Sequence, residues 1–413
     1  MFRQKFKRTS QNAKPSKPRF QWKVGPFSFK RFVLLMKREW HLFRSNNVAM
    51  LIFIGAPIAY ALIIGMVYKG AALKDIPVAV VDKDNTPLSQ KMIDALDDNQ
   101  YIKVSRVLMA ESNGRSLMVD DRLAAIITIP DRFEANIQQK RYPEVSVDVD
   151  GANLLTANYV STGIQTTLAV LNAGMEIEGL KKKGIPASIA MDQFEMFKIT
   201  MTRYYNPSSN YLLFLFPGML GTIVQQVFLI VLALSFAREY EDGTFRNLVR
   251  YTRRPMNLLM AKTVPYFLIG IAIWVPLINI FFPAFHLQMP PNIWLFYGIS
   301  ALFISAVTFM GVAVSIMMKS QLKATEVLMV IATPSFIISG QTWPLEYMPK
   351  SIQMMANTIP LTHYLEAFRA MMTYGATAKE LMPQITALLI LNAVFLAMAL
   401  IALKLKIKKY HIK

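Results

Sequence analysis

Six apolar runs of about 20 residues or more dominate this sequence, and a run of that length crosses ~30 Å of hydrocarbon as a helix. They cover residues 48–67, 211–237, 264–285, 294–318, 322–341 and 384–403. The fifth is the weakest, because Pro334 and Gly340 interrupt it. A cleaved signal peptide would place its apolar core within the first ~30 residues, ahead of a small-residue cleavage site. The first run begins only at Val48 and ends without such a site, so it reads as an uncleaved span. The long stretch 68–209 is polar and mixed. A chain 54% hydrophobic and 17% charged suits spans plus a folded polar region better than a soluble domain or an all-membrane protein.

Charge orients the spans. The chain carries a net +19, and its distribution decides what that means. Residues 1–47 hold 13 Lys or Arg against one Glu, and 238–262 hold six against three acids. The 319–326 loop has Lys319 and Lys323, and the tail has Lys404, Lys406, Lys408, Lys409 and Lys413. The alternating segments differ. Residues 68–209 have 16 basic and 18 acidic residues, 286–293 have neither, and 342–383 have three of each. The basic excess therefore falls on one side at every crossing, which the positive-inside rule makes cytoplasmic. The expected topology is multi-pass with both termini cytoplasmic. The excess is then topological, and no nucleic-acid partner is expected.

The expected fold class is an α-helical polytopic membrane protein with six transmembrane helices and an inserted α/β extracytoplasmic domain. In that domain Ile76–Val81, Tyr101–Val107, Ala124–Ile129 and Glu144–Val149 are short and rich in Val and Ile, as strands are. Helical patterns at 86–97, 111–121 and 131–139 alternate with them, which suggests a small sheet with helices packed on it. Longer helical stretches follow at 154–182 and 187–204. The expected division is a basic arm 1–27, an amphipathic helix 28–47, a first span 48–67, the outer domain 68–209 and the remaining spans 210–413. The amphipathic segment sets Phe32, Leu35, Met36, Trp40 and Phe43 at helical spacing among Lys30, Arg31, Lys37, Arg38 and Arg44, which suits contact with membrane lipids.

Several chemistries are excluded or unsupported. No glycine precedes a lysine, so the phosphate-cradling loop G-x-x-x-x-G-K-[ST] is absent. There is no cysteine, hence no disulfide and no thiolate zinc site. The four histidines are scattered, with no H-E-x-x-H, and no metal site is expected. No ionisable residue lies deep in any apolar run, which argues against proton- or sodium-driven transport.

The most informative segment follows the second run: Ala237-Arg238-Glu239-Tyr240-Glu241-Asp242-Gly243-Thr244-Phe245-Arg246-Asn247-Leu248. Gly243 permits a tight turn, Glu239 and Glu241 suit the start of a short helix, and Leu248 offers an apolar face for a partner. The plain alternative is an ordinary loop with scattered charge. The segment resembles the R-E-x-E-x-G-T motif of the type-2 ABC exporter permeases. Asn206-Pro207, Phe216-Pro217-Gly218, Ser339-Gly340, Trp343-Pro344-Leu345-Glu346, Met348-Pro349 and Ile359-Pro360-Leu361-Thr362-His363 are similar to further motifs of that family. Pro77 to Asp82 and Asp150-Gly151 resemble strand signatures of its subgroup with a large outer domain. Gln341-Thr342-Trp343 departs from the family pattern.

The resemblance implies a permease subunit that exports a substrate out of the cytoplasm or inner membrane, powered by a separate ATPase and with no ATPase domain of its own; the substrate is unidentified, and the 26 Phe and 26 Met are compatible with an amphiphilic or drug-like one. It would bind no cofactor itself, since ATP and Mg are used by a separate cytoplasmic ABC ATPase. Arg238, Glu239, Glu241, Gly243, Thr244 and Leu248 would form the coupling interface, within a coupling helix over 239–250. The amphipathic segment would be the connecting helix. The chain would pair as a homodimer or with a paralogous permease, and a periplasmic adaptor and outer-membrane channel stay open as further partners. A membrane sensor or scaffold whose outer domain binds a ligand or adaptor is the other reading. Prolines 344, 349 and 360 break the stretch 342–375 into two expected half-helices, Met348–Asn357 and Leu361–Tyr374. There Trp343, Pro344, Glu346, Pro360, His363 and Glu366 are candidates for an outer gate; the alternative is a simple Glu366/Arg369 pair at i, i+3.

Overall fold

The computed structural model describes residues 29–109, 122–186 and 210–411, apart from 71, 140, 142, 185 and 253, together with 118 and 206. The expected helix 187–204, most of 111–121 and the arm 1–27 lie outside the described residues. Two compact units emerge, one of residues 1–66 with 214–413 and one of residues 67–213.

The first unit begins with α1 (Phe29–Arg44), whose buried positions Leu35, Glu39 and Phe43 recur every four residues. The first span is α2 (Asn47–Val67). Its turn Leu51–Gly55 widens to i→i−5 bonding just before Pro57. Proline has no N–H and its ring crowds the carbonyl four residues back, and a wide turn relieves both problems.

In the second unit, strands β1 (Ile76–Asp82), β2 (Ile102–Leu108), β3 (Ala125–Ile129) and β4 (Ser146–Val149) form one sheet of order β2-β1-β3-β4. β1 runs parallel to both neighbours and β4 is antiparallel. Helices α3 (Pro87–Asp97), α4 (Phe133–Gln138) and α5 (Leu154–Lys182) accompany them. One face of β1 packs Val78 and Val80 against Leu96, Ile102, Ile127, Val160 and Ile164. The other packs Ala79 and Val81 against Leu123 and Ile126. A strand covered on both faces is why 76–82 reads as a continuous apolar run. Asp82 organises the following turn: its carboxylate accepts from Asp84 N, Asn85 N and Ser89 Oγ. Thr86 and Ser89 then cap α3 reciprocally, ahead of Pro87 in the first turn.

The chain continues through α6 (Tyr211–Glu241), α7 (Phe245–Tyr251), α8 (Pro255–Ala284), α9 (Ile293–Met317), α10 (Gln321–Ile338), α11 (Lys350–Asn357), α12 (Pro360–Arg369) and α13 (Met382–His411). Among the described residues, α2, α6, α8, α9, α10 and α13 are six helices long and apolar enough to span a membrane. Close helix approach uses small residues. A Cβ on Gly270 of α8 would lie 2.2 Å from the Phe228 ring, and one on Gly311 of α9 2.8 Å from Leu232. Polar side chains bridge the helices: Ser305 Oγ donates to Asn392 Oδ1 (2.6 Å), and Gln225 Nε2 donates to Ser335 Oγ (3.0 Å). Helices α11 and α12 are separate short helices, as the prolines led us to expect, and a wide turn Ala370–Tyr374 follows α12. α12 buries Tyr364, which stacks on Phe303 at 4.2 Å, and Phe368, which packs on Phe282 and Phe296.

Candidate functional site: a buried charge cluster beneath a short helix

At the end of α6, Glu239 turns inward and is 3% exposed. Arg38 of α1 donates to both of its oxygens, from Nη1 at 2.8 Å and from Nη2 at 3.2 Å, a fork-to-fork pairing. Lys262 Nζ donates to Glu239 Oε1 at 3.0 Å, and Thr244 Oγ1 also donates to Glu239. Lys262 is 1% exposed, well inside α8. It also reaches Glu39 Oε1 at 3.0 Å and Ser235 O at 2.9 Å. Three acceptors thus meet the three donors of one ammonium. Its cation stands 5.1 Å from the Phe236 ring. Glu39 is itself 3% exposed and accepts from Arg38 at 3.0 Å.

Two cations and two carboxylates therefore cancel. Charge taken out of water is tolerable only when it is paired and its hydrogen bonds are met, and this cluster satisfies both. Phe43, 5.5 Å from Phe53 and 5.9 Å from Tyr266, forms an aromatic collar nearby, and Phe53 in turn packs on Phe228. The cluster ties together α1, the end of α6, the start of α7 and α8. Lys262 and Glu239 lie outside the apolar runs 264–285 and 211–237, on helix ends that extend beyond them: α8 starts at Pro255 and α6 runs to Glu241.

The remaining residues of the candidate coupling interface are placed as follows. Arg238 is partly exposed and pairs with Asp242 at 3.5 Å. Gly243 turns the chain with φ +68°, in the left-handed region that favours glycine. Glu241 is exposed, accepts from Gln321 N at 2.9 Å and is also bonded by Gln321 Nε2. Leu248 is 2% exposed and lies, with Phe245 and Val249, on the buried side of α7. The apolar face expected to meet a partner is thus covered by the chain itself. What α7 presents outward is Arg246, Asn247 and Arg250. The spacing held that signal: 245, 248 and 249 share one helical face, 246 and 250 the other. Likewise Glu239, expected to meet a partner's cations, is satisfied by Arg38 and Lys262 of its own chain.

At the other end of α10, Gly340 has φ +83° and Gln341 is buried. Arg369 donates to Gly340 O (2.9 Å) and Gln341 Oε1 (2.7 Å), while Gln341 Nε2 donates to Phe214 O (2.8 Å). Among the candidate gate residues, Trp343, Pro344 and Glu346 are exposed, and Glu346 lies in the turn Leu345–Tyr347. Pro360 is buried in the first turn of α12. His363 Nε2 lies 3.0 Å from Asn357 O, and Glu366 is exposed. Arg369 is engaged by Gly340 and Gln341, and no ion pair within 4 Å joins it to Glu366 among the described residues. The grip centred on Gln341 was absent from the candidate set. Its departure from the family pattern at 341–343 was the available signal.

The family described as ABC-2 family transporter protein matches residues 48–401. The chain belongs to this family. The permease is 23% identical over 333 residues to the "Probable multidrug ABC transporter permease YbhS" of Escherichia coli (strain K12), covering 79% of this chain and 80% of that one. It is 22% identical over 330 residues to the E. coli K12 "Inner membrane transport permease YhhJ", covering 79% and 84%. It is 23% identical over 394 residues to the "Linearmycin resistance permease protein LnrN" of Bacillus subtilis (strain 168), covering 86% and 94%. This permease is thus a transmembrane subunit of an ABC transporter, and the family implies a partnering ATPase subunit.

Proposed function

We propose that the permease is the membrane half of an ATP-driven exporter whose separate cytoplasmic ATPase docks on α7. The observation that carries this reading is the geometry of α7. It is a short helix between two spans, with its apolar side buried and Arg246, Asn247 and Arg250 outward. Its N-terminal Thr244 is bonded to the neutral cluster that also holds α1 and α8. A docked ATPase that moves α7 would therefore displace the ends of several helices together. The basic outer face suits an acidic groove on the ATPase.

In this reading the basic segments and both termini are cytoplasmic, in a bacterial inner membrane, and residues 68–209 face outward. Two copies, or one copy and a paralogue, line the path. The substrate class proposed is amphiphilic or drug-like, in keeping with the multidrug and linearmycin-resistance names of two relatives. The outer domain remains available for an adaptor protein. Trp343, Pro344, Glu346, Pro360, His363 and Glu366 are proposed to border the outer exit. The docking claim is tested by reversing Arg246→Glu and Arg250→Glu together. The variant should insert normally and lose its ATPase on co-purification. Full retention of the ATPase would overturn the docking face.

A further inference from the structure

We propose that Glu241 and Gln321 form a joint that passes movement of α7 into α10 and so to the Gln341–Arg369 grip at the far end of that helix. The inference rests on the docking reading above and adds the route out of it.

Helix α10 is held in an unusual way. One side is bare: Leu322, Val330 and Ile337 are all more than half exposed. Among its attachments are polar joints at three levels, each to α6 or its flank. At the first end, Glu241 accepts from both the backbone N–H and the side-chain amide of Gln321. This places a carboxylate on the unsatisfied N–H groups of a helix N-terminus, where the dipole also favours it. Ser320 caps the same end by accepting from Lys323 N. In the middle, Gln225 bonds Ser335 at 3.0 Å. At the far end, Gln341 bonds Phe214 O, and Arg369 of α12 clasps Gly340 and Gln341.

Glu241 is two residues from Gly243, the turn that aims α7. It is also two residues from Glu239, which is locked into the buried cluster. The two acids divide the work. Glu239 anchors the loop to α1 and α8, and Glu241 grips the next free helix. Hydrogen bonds between exposed groups can break and re-form as the loop moves, and the buried cluster cannot do so cheaply. A joint of this kind is a discrete contact that two conformations can bias, which is what coupling between distant sites requires. Gln321 is thus a positioning residue that acts through Glu241 and α10.

The test uses the assembled complex with its ATPase and a single cysteine at Tyr347, an exposed position just beyond Gln341; the chain has no cysteine of its own. The readout is the rate of labelling by a membrane-impermeant maleimide, without nucleotide and after trapping with ATP and vanadate. The parent should show a nucleotide-dependent change in rate. Glu241→Ala should lose that change and Gln321→Ala should reduce it, with the ATPase retained in both. The exchanged pair, Glu241→Gln with Gln321→Glu, keeps an amide facing a carboxylate and should restore the change. Retention of the ATPase by the single variants separates lost transmission from a lost fold. Single variants with the full change, or an exchanged pair that behaves like Glu241→Ala, would overturn the joint. So would loss of the ATPase from Glu241→Ala, which would make Glu241 a direct docking residue. A parent complex that holds no ATPase would instead defeat the docking reading, and the joint with it.

Discussion

Replacing Lys262 by Met removes one charge from a set that sums to zero and leaves Glu39, Glu239 and Arg38 with a net −1 in a buried site. Unit charges ~3 Å apart at an effective dielectric of ~20 attract by roughly 5–6 kcal/mol, most of it offset by the desolvation the pair has already undergone. The net loss on deleting one partner of such a set is about 3–5 kcal/mol. Glu239→Gln should cost a similar amount, leaving +1. The double variant leaves Arg38 facing Glu39, a neutral pair at 3.0 Å, so its loss should fall well short of the sum. The expected coupling in a double-mutant cycle is about 2–3 kcal/mol. Reversible unfolding of the purified protein in mixed detergent, or steric trapping in bicelles, measures it. Losses under about 1 kcal/mol for Lys262→Met, or strictly additive losses, would refute the account of a balanced buried cluster.

Other predictions follow from the same geometry. Gly243→Ala should cost about 1 kcal/mol through backbone strain alone, since nothing lies within 4 Å of the added Cβ; Gly243→Asn should cost less, and ATPase co-purification should fall in that order. Gly270→Ala forces a methyl against Phe228 and should lower stability by about 1–3 kcal/mol in the same unfolding assay. In the 67–213 unit, the Lys103 ammonium and the Val104 N–H hold the Asp97 carboxyl below its ordinary value. That contribution is present above the ordinary value of about 3.9 and is lost as pH falls through the lowered one; Asp97→Asn should flatten this acid limb, read as protease resistance of the unit against pH. Single cysteines at Asp98 and Asn247 should be labelled by an impermeant reagent from opposite sides of the membrane, Asp98 from outside.

Much of the fold was legible because it is periodic and local. Apolar runs marked the spans, and β-branched runs marked the strands; β1 begins at Ile76 and β3 ends at Ile129, as the runs suggested. The span ends were less legible. Hydropathy alone places the third span from 264, but the helix starts at Pro255, where a proline suits the first turn. The last helix continues through its lysines to His411, because lysine is a good helix former and carries its charge out to water. The site was half legible. The motif around Glu239 located it, but Arg38 lies 201 residues away and Lys262 lies 23 away, so local spacing could not reveal that Glu239 faces inward. Once Glu239 is seen to be buried, charge reversal there is expected to disturb folding as well as coupling, and Arg246 and Arg250 become the cleaner probes of docking. The division of α7 into a buried 245/248/249 side and an exposed 246/250 side was present in the spacing all along.

Docking on α7 is tested most directly by one cysteine at Asn247, the exposed residue between Arg246 and Arg250, joined by a short bifunctional crosslinker to the ATPase in intact membranes. Asn247→Cys should give a permease–ATPase product and Asp98→Cys none. A complex that retains its ATPase yet gives no product at position 247 would contradict it.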